Sequence, residues 1–176
     1  MWHGESASPS MPCDSMTPRD ELLDAVAEAP GYAPAYTLLA QAWSALGFRD
    51  NALAAAVQAE QKSANLPREQ RLQIEAVAES ARSEWSKAEA TWGALVRARP
   101  ESIEYHLQAI DAQIAAGSMP GAQRTLNELE RVSNAAVDPR VEAARASLVA
   151  AIAAYRSIRN PRGEAAARNG ARPWYR

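Results

Sequence analysis

The chain has 176 residues, 47% of them hydrophobic, with a formal net charge of −2, enough to bury a core as one continuous domain. Its single cysteine, Cys13, excludes an internal disulfide and a zinc site built of cysteines. Forty alanines and one phenylalanine favour helix over sheet, because alanine is the best helix former and a poor strand filler, so no strands are expected. The small net charge hides an asymmetry: six arginines and one acid from Tyr155 to Arg176 give that tail +5, and 13 basic against 20 acidic groups give the preceding 154 residues −7. The longest apolar run, Leu148 to Tyr155, is eight residues, far below the roughly 18 to 20 that span a bilayer. The N-terminus has no basic segment followed by an apolar one, so no secretory signal and no membrane partner are expected, and the expected compartment is the cytoplasm.

Residues 1–16 mix Ser, Pro, Met and Gly without periodicity and read as a disordered leader. A helix is predicted from Thr17, with Pro18 in its first position, Asp20 and Glu21 at the positive end of the dipole, and Leu22, Leu23 and Val26 on its apolar face. Two helices follow, near Ala33–Leu46 and Asp50–Ala64, the first carrying Tyr36, Ala40, Trp43 and Leu46 at helical spacing and the second capped by Asp50. The next pair is predicted at Pro67–Ala81 and Glu84–Arg97. A third spans Ile103–Ala116, capped by Ser102, and Pro120–Val132. Asp138 and Pro139 open a final helix through Ile158. There either the hairpin turn has shifted or one terminal helix lies across the others; the second reading is favoured. Asn160 and Pro161 end it, with room for a short helix from Glu164 to Asn169.

These pairs repeat. Ala40, Ala52, Ala56, Ala59 and Ala64 reappear 36 residues later as Ala76, Ala88, Trp92, Leu95 and Pro100, and 34 further on as Ile110, Ala122, Leu126, Leu129 and Asn134. Gly47 maps to Ser83 and then Gly117, and 34 residues back Ala56, Ala59 and Ala64 project onto Leu22, Ala25 and Pro30. Each pair exposes an apolar stripe that only a neighbouring copy can cover. On these residues the stretch from Pro18 to Tyr155 resembles the tetratricopeptide repeat family, built of helix-turn-helix hairpins of about 34 residues with small residues at the crossings. The resemblance implies an all-α solenoid: a half repeat at 17–31, repeats at 33–66, 69–102 and 103–136, a terminal helix at 138–158 and a basic tail at 159–176. Arg82 and Ser83 depart from the family pattern, which has an apolar residue and a glycine there.

No catalytic constellation emerges. His3 lies in the leader and His106 in the column of Tyr36 and Leu72, where it reads as a packing residue; there is no glycine-rich phosphate loop and no Ser, His and acid set. Glu104 and His106 are two residues apart, on diverging faces of a helix, so neither they nor Asp111 form a metal site, and no metal or cofactor is expected. Trp43, Trp85 and Trp92 read as core.

Binding remains. In the family it resembles, the first helices of successive repeats line a concave groove, which here implies Thr37, Leu38, Gln41 and Ser44, then Gln73, Ile74, Val77 and Ser80, then Leu107, Gln108, Asp111 and Ile114. Family members that grip the C-terminal carboxylates of chaperones use lysine, arginine and asparagine there. None occurs at these positions, so a protein or peptide partner with apolar anchors fits better. The exposed terminal repeat faces leave room for a homodimer. Arg156, Arg159, Arg162, Arg168, Arg172 and Arg176, beside Trp174 and Tyr175, suggest nucleic acid, but a solvated helix face or a tail folding back on acidic repeats explains them better. The stretch Pro67–Gln108 also resembles the helical-repeat region of bacterial serine/threonine kinases and winged-helix regulators. The expected function is a non-catalytic interaction scaffold, with a regulatory fragment of a signalling protein as the alternative.

Overall fold

In a computed structural model of the chain, described here for residues 18–132 and 137–159, every regular element is a helix. There are eight: α1 (Pro18–Glu28), α2 (Ala33–Ala45), α3 (Arg49–Gln61), α4 (Arg68–Ala81), α5 (Trp85–Ala98), α6 (Ile103–Ala115), α7 (Met119–Leu129) and α8 (Pro139–Arg159). Among the described residues there is no strand. Each helix packs on the next, and α2 also packs on α4 and α6 on α8. Thr17 and the segment Glu164–Asn169 lie outside the described residues.

The helix ends show local chemistry at work. Ser102 caps α6, its hydroxyl accepting from the Tyr105 amide at 3.3 Å. Asp138 starts α8 in the same way, accepting from the Arg140 amide at 2.9 Å with Pro139 in the first position. The Arg140 side chain and amide hold the Asp138 carboxyl below its ordinary range. Asp50 is not a cap. The helix begins one residue earlier, at Arg49, with Phe48 in the capping position and its carbonyl taking the Ala52 amide at 3.0 Å; Asp50 sits in the first turn, where its charge meets the helix dipole.

The turns inside the three pairs are alike atom for atom. Phe48, Glu84 and Ser118 each donate an amide to the carbonyl five residues back, on Trp43, Glu79 and Gln113, at 2.9, 2.9 and 2.8 Å. Gly47, Ser83 and Gly117 each donate to the carbonyl three back and take a positive φ, of 82°, 61° and 78°. This is the left-handed helix stop that glycine adopts freely. Ser83 adopts it too, although a Cβ there is strained by about 1–2 kcal/mol. The sequence marks Ser83 as a departure from glycine; the backbone makes the same turn regardless.

Three buried clusters lie along the chain. The largest joins α2 through α6 and contains Leu39, Ala40, Ala56, Ala76, Ala88, Trp92, Leu95 and Tyr105, with Leu22 and Val26 of α1 packed against it. A second joins α6, α7 and α8 through Ile110, Ala122, Leu126, Leu129, Val141, Ala144 and Leu148. A small third joins Ala33, Ala59 and Ile74. The columns read from the repeat are therefore the buried ones: Ala52, Ala88 and Ala122, then Ala56, Trp92 and Leu126, then Ala59, Leu95 and Leu129 are all at most 2% exposed. His106 is buried, 2% exposed with its Nδ1 2.8 Å from the Ser102 carbonyl oxygen.

Polar ties join helices across the clusters. The Tyr105 hydroxyl donates to Glu69 at 2.8 Å, and Arg99 pairs with the same carboxylate at 3.1 Å. Arg140 reaches Glu104 at 2.8 Å, and Arg82 pairs with Glu60. Burial, then the Glu69 carboxylate, push the Tyr105 hydroxyl up to about 12.

Candidate functional site

Helices α2, α4 and α6 each open a helix pair, and α8 follows the last pair; α2 packs on α4 and α6 on α8. Three hollows on these helices show the step. One, of about 240 Å³, is lined by Pro34, Thr37 and Leu38 of α2, by Gln70, Gln73 and Ile74 of α4, each 36 residues on, and by Tyr32. The next, of about 180 Å³, takes Gln41, Ser44 and Ala45 with Val77, Ser80 and Ala81, again 36 apart, together with Ala40 and with Gln108 and Asp111 of α6. The third, of about 300 Å³, shares Gln108 and Asp111 and sets Glu104, Leu107, Gln108 and Asp111 beside Arg140, Ala143, Ala144 and Ser147 of α8, all four offset by 36. None is a deep cavity of the sort that encloses a cofactor.

Eleven of the twelve groove residues read from the sequence line these hollows; Ile114 packs instead against the second core cluster. They differ in what they present. Ile74, Val77 and Leu107 are buried, whereas Leu38 is 51% exposed. Thr37 is buried and its hydroxyl donates to the Ala33 carbonyl at 3.1 Å, while the Ser80 hydroxyl donates to the Ala76 carbonyl at 2.9 Å. Gln108 donates its amide to Glu104 at 3.0 Å. Gln41 is half-buried, and its Nε2 has no hydrogen-bond partner among the described residues.

Asp111 is the charged residue of the central hollow. Its side chain reaches solvent, yet the enclosing protein desolvates the carboxyl and raises it above its ordinary value, with a smaller push from Glu104. No lysine or arginine lines either the first or the central hollow. The one cation nearby, Arg140 at the third, is held by Asp138 and Glu104.

The contribution of α8 is the part the sequence reading lacks. A 34-residue step from the third pair lands its columns badly, putting Arg156 where a small residue is expected; the matched rows at the third hollow follow a 36-residue step. Tyr32, Pro34 and Gln70 also line the first hollow, one turn before the residues expected there.

Outside this face the described residues offer little chemistry. They hold no group of three His, Cys, Asp or Glu able to grip a metal, and no helix long and apolar enough to cross a membrane. One buried acid, Glu79, has its Oε2 without a hydrogen-bond partner among the described residues; burial raises its carboxyl, with Thr91 pulling the other way. Arg162, Arg168, Arg172 and Arg176, with Trp174 and Tyr175, lie outside the described residues. Comparison with family models, curated proteins and solved structures finds no match to the chain.

Proposed function

We propose that the helices form a tetratricopeptide-like solenoid and that the chain is a non-catalytic interaction scaffold, binding a peptide or partner segment along the face shared by α2, α4, α6 and α8. The observation that carries this reading is the row-by-row recurrence of that face. Hollows lined by residues one repeat apart, drawn from α2, α4, α6 and α8, make an extended trough with apolar and amide character. Such a surface takes an elongated ligand through alternating side chains, not a compact small molecule. The three turns share one hydrogen-bond pattern and a positive φ, which supports the solenoid.

The test uses short random peptides displayed on phage and selected on the immobilised full chain. Peptides that bind the native protein and fail on a Leu38→Glu, Ser44→Glu variant of unchanged helicity support the trough. Peptides that bind both equally, or no enrichment at all, reject it. Both substituted positions are exposed, so the fold tolerates the change.

A further inference from the structure

We propose that the hollow between α2, α4 and α6 is an arginine socket: Asp111, Gln108 and Ser80 receive the guanidinium of an arginine in the bound peptide, and an apolar side chain of the same peptide lies over Leu38 and Ile74. The inference rests on the trough reading and adds the chemistry of the ligand.

The Ser80 hydroxyl has spent its proton on the Ala76 carbonyl, and Gln108 has spent one N–H on Glu104, so both keep oxygen lone pairs for a ligand, while the second Gln108 N–H and the Gln41 amide remain as donors. Asp111, an acceptor when ionised, has no ion pair or hydrogen bond among the described residues. The lining is thus rich in acceptors and holds no cation. A carboxylate or phosphate would meet the like charge of Asp111 with no cation to offset it. A guanidinium, with five donors and no acceptor, matches it. An ammonium matches less well, because the acceptors come from α4 and α6 and a planar fork reaches several at once where a point charge reaches few.

Two further features fit this ligand. Desolvation raises the Asp111 carboxyl, and a paired guanidinium relieves that cost. The unpartnered Gln41 amide in the same hollow gains a hydrogen bond by turning to a ligand carbonyl. Beside the socket, the hollow of Tyr32, Pro34, Leu38 and Ile74 is uncharged and takes the apolar neighbour.

Peptides selected by phage display on the full chain are resynthesised with each arginine replaced in turn by citrulline, which keeps the shape and loses the charge. Binding to the native chain and to Asp111→Asn is read by fluorescence polarisation. The expected result is an enriched arginine next to an apolar residue, with about tenfold weaker binding on citrulline replacement or on Asp111→Asn, and no further loss when both are combined. Selected peptides that lose binding on Leu38→Glu, Ser44→Glu but not on Asp111→Asn or citrulline replacement overturn the socket while leaving the trough. An absence of selected peptides overturns both.

Discussion

The α2–α3 pair and the α4–α5 pair, with α6 behind it, share a turn geometry and a column plan but fill the columns oppositely. In the first, Ala40, Ala52, Ala56 and Ala59 close the contact, and in the second the place of Ala56 is taken by Trp92 and that of Ala59 by Leu95. Trp92 lies 6.1 Å from Tyr105, tilted by 43°, and joins α5 to α6, whereas in the first pair Trp43 meets Phe48 edge-on at 5.4 Å across the turn. One repeat plan thus holds alanines in two buried columns of the first pair where the second holds tryptophan and leucine. What the columns specify is burial, not size.

The largest way to break the comparison is Trp92→Ala. It empties a fully buried site and costs about 3–5 kcal/mol, read as a lower urea midpoint at constant slope. The converse change in the same column, Ala56→Leu, overpacks the close contact and costs about 1–3 kcal/mol. An Ala56→Leu chain with an unchanged midpoint shows that the first pair is not closely packed.

A third test separates the pairs by alkali. Burial and the Glu69 carboxylate push the Tyr105 hydroxyl up from its ordinary 10.0 to about 12 in the folded chain. Between those values the unfolded chain has lost this proton while the folded chain keeps it, so stability contributed below pH 10 is lost as pH rises toward 12, by on the order of 2 kcal/mol. Tyr105→Phe removes that part of the pH dependence, which urea melts across the window measure. The smallest effect belongs to the turns. Ser83→Gly relieves a left-handed serine and stabilises by up to about 1 kcal/mol, whereas Gly47→Ala in the equivalent turn destabilises by a similar amount.

The helices were legible because alanine, leucine and tryptophan recur at a step that sequence alone reveals, and the recurring positions are the ones buried. Three features were not legible, each for a physical reason. Asp50 carries a strong capping side chain, but the hydrogen bonds start from Phe48 because the preceding turn fixes where the chain re-enters a helix. Ser83 lacks the glycine signature, yet its neighbours on both sides hold it in the same conformation. The α8 side of the third hollow was missed because its rows follow a 36-residue step, where the step read from the preceding pair is 34. Of the twelve residues read from the period, those on α2 and α4 line the first two hollows, while Ile114 packs against the second cluster.

The side-chain hydrogen bonds that join different helices in the described residues span 15 to 36 positions along the chain. Contacts of such short reach close small loops, which favours rapid folding. On a ribosome, each tier has its partners in hand soon after it clears the exit tunnel. Assembly can then proceed from the N-terminal end while the distal arginines are still being decoded.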